Sequence, residues 1–258
     1  LPYDPSWNPL VVPDFSDFLP KHRKKNAVIM LALGGDHGAM SSLSSRLASR
    51  YAEKIGADFI LVDGPNRNPD HPTMDKYGLP SILQHYRKSI VLDSDLIVTS
   101  EAANLFDVVG DGWMGLRDIY EHVNDNEKWL VGELNELMRS QGMKPTDTQL
   151  NRCWNAGVHV FTDESHLAYY TPPEHPFPSQ WCNDEHWGRF NIERFCISVQ
   201  DLGEAHHWCW FYDRDFERIA DPPPCFLHFA GMGQEVPYWN VENKRWRSRI
   251  FKLLSSLL

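Results

Sequence analysis

Asp93 and Asp95 stand one residue apart in the stretch SIVLDSDLIVTS, with Ile90, Val91 and Leu92 before them and Leu96, Ile97 and Val98 after. An unmatched carboxylate in an apolar run is costly, so a pair of them requires a counter-charge. Side chains at i and i+2 on a strand share a face, and where the strand ends and the chain bends both carboxylates can approach one ion. Oxygen ligands suit hard divalent cations such as Mn²⁺ or Mg²⁺. A cation held this way can bridge two phosphates and neutralise a departing diphosphate. The chain carries its own control. FYDRDFER repeats the spacing at Asp213 and Asp215, but Arg214 lies between them and Glu217 and Arg218 follow, which reads as a self-paired surface stretch.

The elements that must position the pair are read from apolar periodicity. NAVIMLALGG (26–35) is a short apolar run closed by two glycines, a buried strand followed by a loop. Leu43, Leu47, Tyr51 and Ile55 recur at every fourth position, one face of a helix that Gly56 can close. DFILVDG is a second buried strand, so the chain opens strand–helix–strand, a parallel pair with a crossover. Leu79, Ile82, Leu83 and Tyr86 predict a helix running directly into the strand that holds the two aspartates. NEKWLVGELNELMRSQG predicts another helix, NAGVHVF a further strand, and residues 171–190, rich in Pro, Trp and His, a structured functional loop. Strands alternating with helices predict an α/β domain around a mostly parallel sheet, in which ligands sit beyond the carboxyl ends of the strands. A Pro-rich extended lead-in occupies 1–25, the domain 26–240, and a basic amphipathic helix 241–258.

Composition bounds the partners. The 258 residues suffice for one large domain or two small ones, and at 42% hydrophobic and 12% aromatic the chain can bury a core. A formal net charge of −10 argues against a nucleic-acid backbone as the main partner. No run of about 20 apolar residues is present to span a membrane. The 5 cysteines are odd in number, no CxxC pair and no N-x-S/T sequon occurs, and neither a zinc site nor a disulfide framework is expected. The expected location is cytoplasmic or at a membrane surface, the latter through the C-terminal basic helix, although packing of that helix on the domain is an equal reading. The chain opens at Leu1 rather than Met, so the Golgi lumen stays open if an N-terminal anchor has been trimmed.

Five segments, in order, resemble the GT-A glycosyltransferases, especially retaining family eight, with family thirty-four as a cousin. They are DKYGLPSILQHYRK, SIVLDSDLIVT, NAGVHVF, WCNDEHWGRFN and LHFAG, spanning most of residues 26–239. The resemblance implies a GT-A fold and a nucleoside-diphosphate sugar donor, most naturally uridine-linked. It implies that Asp93 and Asp95 hold the metal and that His228 completes its protein ligands. Lys76 would lie over the donor phosphate or sugar, although an ordinary solvated lysine is the plainer reading. Asp118 would hold donor-sugar hydroxyls, Asn155 and Ala156 would line the sugar pocket, and Ser94 and Gly231 would join the donor site. The loop containing Ala32, Gly34, Gly35 and Asp36 would hold base and ribose.

Asp184 and Glu185 match an Asp–Gln pair beside the anomeric carbon, where a carboxylate can stabilise an oxocarbenium-like centre, act as nucleophile or, in an inverting enzyme, take the acceptor proton. They also suit the first turn of a helix capped by Asn183. Two positions depart from the family. Glu185 stands where the family has Gln, which could supply a nucleophile or mean inversion. Gln234 replaces a Lys that would contact the diphosphate, leaving more of that charge to the metal, Lys76 or Arg189. Trp181, Trp187, Trp208, Trp210, Tyr238 and Trp239 are divided between sugar stacking and core packing. The expected activity is metal-dependent transfer of a hexose or pentose to a hydroxyl of a glycan, glycolipid or glycoprotein, with retention by resemblance. A sugar-nucleotide pyrophosphorylase is the nearest rival, but LALGGDHGAMSS lacks the Arg its phosphate loop needs. A non-catalytic carbohydrate-binding domain on the same fold is the other.

Overall fold

The strand that carries Asp93 is the third of a six-stranded sheet with the order β2-β1-β3-β6-β5-β7. These strands are β1 (Asn26–Leu33), β2 (Asp58–Gly64), β3 (Lys88–Asp93), β5 (Met114–Asp118), β6 (Trp154–Phe161) and β7 (Val199–Asp201). β1, β2, β3, β5 and β7 run one way and β6 runs against them. The computed structural model describes residues 10–34, 38–69, 72–118, 132, 135–139, 142, 152, 154–173, 183–209 and 224–229. The Asp213–Asp215 segment, the C-terminal basic stretch, Cys153, Cys182, Trp181, Trp210, Tyr238 and Trp239 lie outside the described residues. Of the helix expected over NEKWLVGELNELMRSQG, residues 132, 135–139 and 142 are described; 132 and 135–139 are helical, and Gly142 (φ +72) is in a turn.

The central strands are apolar on both faces because both faces are covered. On β1 and β3, Ala27, Ile29, Leu31 and Val91 enter one core cluster, while Val28, Met30, Ile90 and Leu92 enter the other. Alternation carries Asp93 to the Val91 face. That face is covered by a 3₁₀ segment, Pro72–Gly78, and by α4 (Asn183–Arg194), which contribute Met74, Tyr77, Trp187 and Phe190 to its core. Burying each such side chain stabilises the fold by about 1.5–3 kcal/mol.

The opposite face is covered by α1 (Gly38–Lys54), which connects β1 to β2. Its most deeply buried positions are Ser44, Ala48, Tyr51 and Ala52, whereas Leu43, Leu47 and Ile55 are half-buried. The contact stripe is thus rotated from the one expected, because small residues let the helix approach the sheet closely. Gly56 (φ +70) ends the helix in the left-handed region, and the Ala57 N–H donates to the Ala52 carbonyl.

Three expectations need revision. The helix before β3 is a single turn, α2 (Pro80–Leu83): Gln84 and His85 are exposed, and the Tyr86 hydroxyl donates to Asp58, 3.1 Å away. The apolar run around the aspartates is two strands in two sheets. After Asp93 the chain turns at Ser94 and Asp95 and enters β4 (Leu96–Val98), part of a three-stranded sheet in the order β4-β9-β8, with β8 at His207–Cys209 and β9 at Phe226–His228. The 171–190 segment is helical from Asn183 on.

A second short helix, α3 (Leu105–Val108), follows β4 and is capped by the Asn104 side chain, which accepts from the Phe106 N–H. The described part of the lead-in packs against the domain. Val11 exchanges two hydrogen bonds with the Asn68 side chain, the Phe15 N–H donates to Ser81, and the Phe15 ring is buried against Gly78. Asn68 in turn donates to Asp75, a fully buried carboxylate that also accepts from the Arg67 and Asn68 N–H groups. The turn bearing Lys76 is therefore fixed from behind. None of the helices among the described residues is long and apolar enough to cross a membrane.

Candidate functional site

The residues singled out in the sequence converge at the carboxyl edge of the large sheet. Ala32, Gly34, Asp93 and Asp118 lie at the ends of β1, β3 and β5, and Asn155 lies at the start of the reversed β6, hence at the same edge. Gly34 (φ +87) turns the chain out of β1, and its N–H donates to the Gly64 carbonyl. A Cβ there would also meet the Asn66 amide, an end group that can move aside, so it is the backbone conformation that calls for glycine. Gly35, Asp36, Gly231 and Gln234 lie outside the described residues. Ser94 is buried at the corner between Asp93 and Asp95.

His228 arrives from the small sheet. In the β4–β9 ladder Leu96 pairs with His228, and the Phe229 N–H donates to the Asp95 carbonyl. At the far end Thr99 binds the Pro224 and Cys225 carbonyls. This register sets His228 Nε2 3.3 Å from Asp95 Oδ1 and 4.0 Å from Asp93 Oδ2. One ligand atom from each of the three residues lies within 4.8 Å of the others. Ligands about 2.1 Å from one octahedral ion are about 3 Å apart when cis and about 4 Å when trans, so the spacing fits a small divalent cation. Two carboxylates and one imidazole form a mixed oxygen–nitrogen donor set suited to Mn²⁺. Burial opposes charge on His228, but Asp95, reinforced by the Cys209 thiol, holds its pKa well above the usual imidazole range. Burial pushes Asp93 up, Asp95 adds to the rise, and Lys76 pulls against it.

Lys76 is not solvated. It is buried, with Nζ 2.9 Å from Asp93 and 2.8 Å from Asp184, and it donates to the Ala156 carbonyl at 3.2 Å. Burial alone would lower its pKa, but Asp184 and then Asp93 raise it well above the ordinary lysine value. One internal cation thus joins the aspartate corner to α4. Asp184 and Glu185 lie in the first turn of that helix, so the capping and site readings coexist.

Glu185 Oε1 accepts from Asn155 Nδ2 at 3.1 Å and from the Ala156 N–H at 3.0 Å. Burial, then Asp184, pushes its carboxyl up to about 7. The extra acid relative to the family's amide therefore carries a full negative charge only above neutral pH.

Three consecutive residues of β6 hold the centre together. The Asn155 side chain contacts Glu185, His228 and the Gly157 N–H, while Ala156 uses its N–H on Glu185 and its carbonyl on Lys76. Gly157 supplies the space on which the His228 imidazole rests, since a Cβ there would strike the ring. Asn155 and Ala156, expected to line a sugar pocket, are both buried, with their polar groups turned to these internal partners. Asp118 stands apart: its N–H donates to Asp201, and its carboxylate lies 3.4 Å from Arg152.

His207 and Cys209 were not anticipated. The sequence expectation there concerns Trp208, yet His207 and Cys209 alternate on β8, and their side chains reach His228 Nδ1 at 3.4 and 3.7 Å. Burial keeps His207 well below the usual imidazole pKa, so it adds no second charge. Of the tryptophans weighed for sugar stacking, Trp187 and Trp208 are core residues, 3% and 1% exposed.

No protein-family model matches the chain, and no curated protein matches its sequence. Solved structures do. The bifunctional glycosyltransferase WbbM, in its apo form, is similar with a TM-score of 0.53 at 14% identity, over 87% of this chain. The chain spans about half of WbbM, 48% of its length. A glycosyltransferase involved in glycosylation of the major capsid of PBCV-1 is similar with a TM-score of 0.50 at 10% identity, over 81% of this chain and 94% of that one. At such identities the likeness is one of architecture: the chain has the mixed α/β GT-A fold of these glycosyltransferases.

Proposed function

We propose that the chain is a metal-dependent glycosyltransferase. It would move a sugar from a nucleoside diphosphate, uridine-linked, to a hydroxyl of a glycan, lipid or protein, with retention. The observation that carries this reading is the meeting of Asp93, Asp95 and His228 at the carboxyl edge of the sheet, with ligand atoms within 4.8 Å of one another. Retention, the uridine base and the likeness to family eight rest on the ordered motifs alone. Asp93, Asp95 and His228 would hold Mn²⁺ or Mg²⁺, which when bound supplies Lewis-acid neutralisation of the departing diphosphate.

The chain's own groups do the rest. The bond from the anomeric carbon to the diphosphate breaks with its electron pair leaving on the diphosphate oxygen. A new bond forms from that carbon to the acceptor oxygen, whose proton must be taken up. With retention that proton passes to the departing diphosphate oxygen; Glu185, with Oε1 held by Asn155 and Ala156 and with no hydrogen bond to Oε2 among the described residues, would stabilise the anomeric centre or act as nucleophile, and would take the proton only if the enzyme inverts. Asp184, fixed by Lys76, places a carboxylate beside the same centre. The β1 loop, Ala32 to Asp36, would take base and ribose, and Asp118, Ser94, Gly231 and Gln234 would complete the donor site.

The test is UDP release from a panel of UDP-sugars, with and without Mn²⁺, on the wild type and Asp95→Asn. The expected result is Mn²⁺-dependent release that falls by about 100-fold or more in the variant, a loss of roughly 3 kcal/mol of transition-state stabilisation. Binding of Mn²⁺ and UDP with no turnover on any donor or acceptor would leave a carbohydrate-binding domain. Incorporation of labelled pyrophosphate would point to a pyrophosphorylase.

A further inference from the structure

Asn155 connects two groups to which different tasks fall. Its orientation is fixed because the Gly157 N–H, 3.0 Å away, can only donate. The atom facing it must be the amide oxygen, which leaves Nδ2 for Glu185 at 3.1 Å. The same oxygen lies 3.0 Å from His228 Nδ1. An amide oxygen only accepts, so His228 must carry a proton on Nδ1, and Nε2 is the nitrogen that faces Asp95 and Asp93. The other neighbours of Nδ1, His207 and Cys209, are longer contacts and can each serve as donor or acceptor, so neither settles the tautomer.

Resting on the metal reading above, we propose that Asn155 is a positioning residue: it sets which imidazole nitrogen of His228 is free for the cation and holds Glu185 in register with that nitrogen. Outer partners of a ligating histidine orient the ring and fix its tautomer in this way. The role differs from the sugar contact expected of Asn155, since the side chain is buried and its oxygen and nitrogen are both engaged inside the protein.

The test is Mn²⁺ affinity of the full chain, read by the loss of free-ion electron paramagnetic resonance signal, with the melting temperature of each variant measured alongside. Asn155→Ala removes the acceptor and is expected to weaken Mn²⁺ binding by about 10–100-fold. Asn155→Asp keeps an acceptor for Nδ1 and for the Gly157 N–H, and is expected to bind within about threefold of wild type. Its second oxygen faces Glu185 acceptor to acceptor, so it should melt below wild type, and adding Glu185→Gln should recover most of that loss by restoring a donor between them. Cys209→Ala, which touches the same ring through a weak partner, should leave Mn²⁺ affinity within about twofold. Wild-type affinity in a folded Asn155→Ala overturns the proposal and leaves the metal reading intact. Should that variant not fold, a tenfold loss in Asn155→Asp overturns it instead, and retention there supports it. A wild-type chain that takes up no Mn²⁺ overturns both.

Discussion

The two sheets that meet at the site are built differently. The large sheet consists mainly of strands of 5 to 8 residues, and its central members are buried on both faces. The small sheet is three strands of 3 residues each, held by two short ladders and by end contacts such as Phe229 to Asp95 and Thr99 to Pro224 and Cys225. The large sheet delivers Asp93 and Asn155, and the small one delivers His228. The Asp93–Asp95–His228 cluster exists only if the small sheet is docked on the large one in register. The main tie between them is α1, whose Tyr51 packs edge-on against Phe226, with ring centroids 5.3 Å apart, while its hydroxyl donates to the Ala103 carbonyl and accepts from the Leu105 N–H.

Equivalent cuts in the two sheets should have unequal consequences. Phe226→Ala empties a fully buried site in the small sheet and is expected to cost about 3–5 kcal/mol. Because His228 lies on the same strand, Mn²⁺ affinity should fall with it. Ile29→Ala in the large sheet should cost about 2–5 kcal/mol, but leave the affinity of the folded fraction near wild type. Urea unfolding paired with Mn²⁺ titration separates the two, and equal loss of metal binding in both would break the comparison.

Lys76→Met tests the connection between the two sides of the site. It leaves Asp93 and Asp184 without their shared cation, and removing one partner of a buried pair costs about 3 kcal/mol. Saturating Mn²⁺ should restore part of that stability, since the added charge reaches Asp93 from the other side; a melting curve with and without the ion reads it. Tyr51→Phe keeps the ring contact and removes the two hydrogen bonds, for an expected loss of about 1–2 kcal/mol in urea unfolding.

A pH dependence is expected at the same site. Burial and Asp184 raise Glu185 to about 7 from an ordinary 4.5, so the folded chain holds that proton more tightly than the unfolded one. Stability from this group is fully present below pH 4.5 and is lost as pH rises through about 7. Glu185→Gln cannot lose it, so the variant should gain on the wild type in urea midpoint over that window. Parallel curves would show that Glu185 is not raised.

How much of this could be read in the sequence follows from the same contrast. β1, β2 and β3 stand out as continuous apolar runs because they are covered on both sides, and the Asp93–Asp95 pair stands out against those flanks. β4, β8 and β9 are too short to show a period, and β4 finds its partner about 130 residues later, as Leu96 with His228 shows. For Lys76 the motif order points to the donor site, but nothing in the sequence shows its ion pairs with Asp93 and Asp184. The part played by Asn155 depends on His228, 73 positions away. His207 and Cys209 did carry a signal, alternate positions on a strand, but the neighbouring tryptophans masked it. The predicted helix before β3 was too long because Tyr86 continues the apolar spacing while its hydroxyl is bound to Asp58.

The way the lead-in is seated has a practical outcome for anyone shortening the protein. A start at Asn26, where the sheet begins, would strip the Phe15 ring from Gly78 and leave Asn68 without the backbone of Val11. The damage would fall on the back of the turn that supports Lys76, far in sequence from the aspartates yet one layer behind them. A trimmed version meant to keep its chemistry should begin ahead of Leu10.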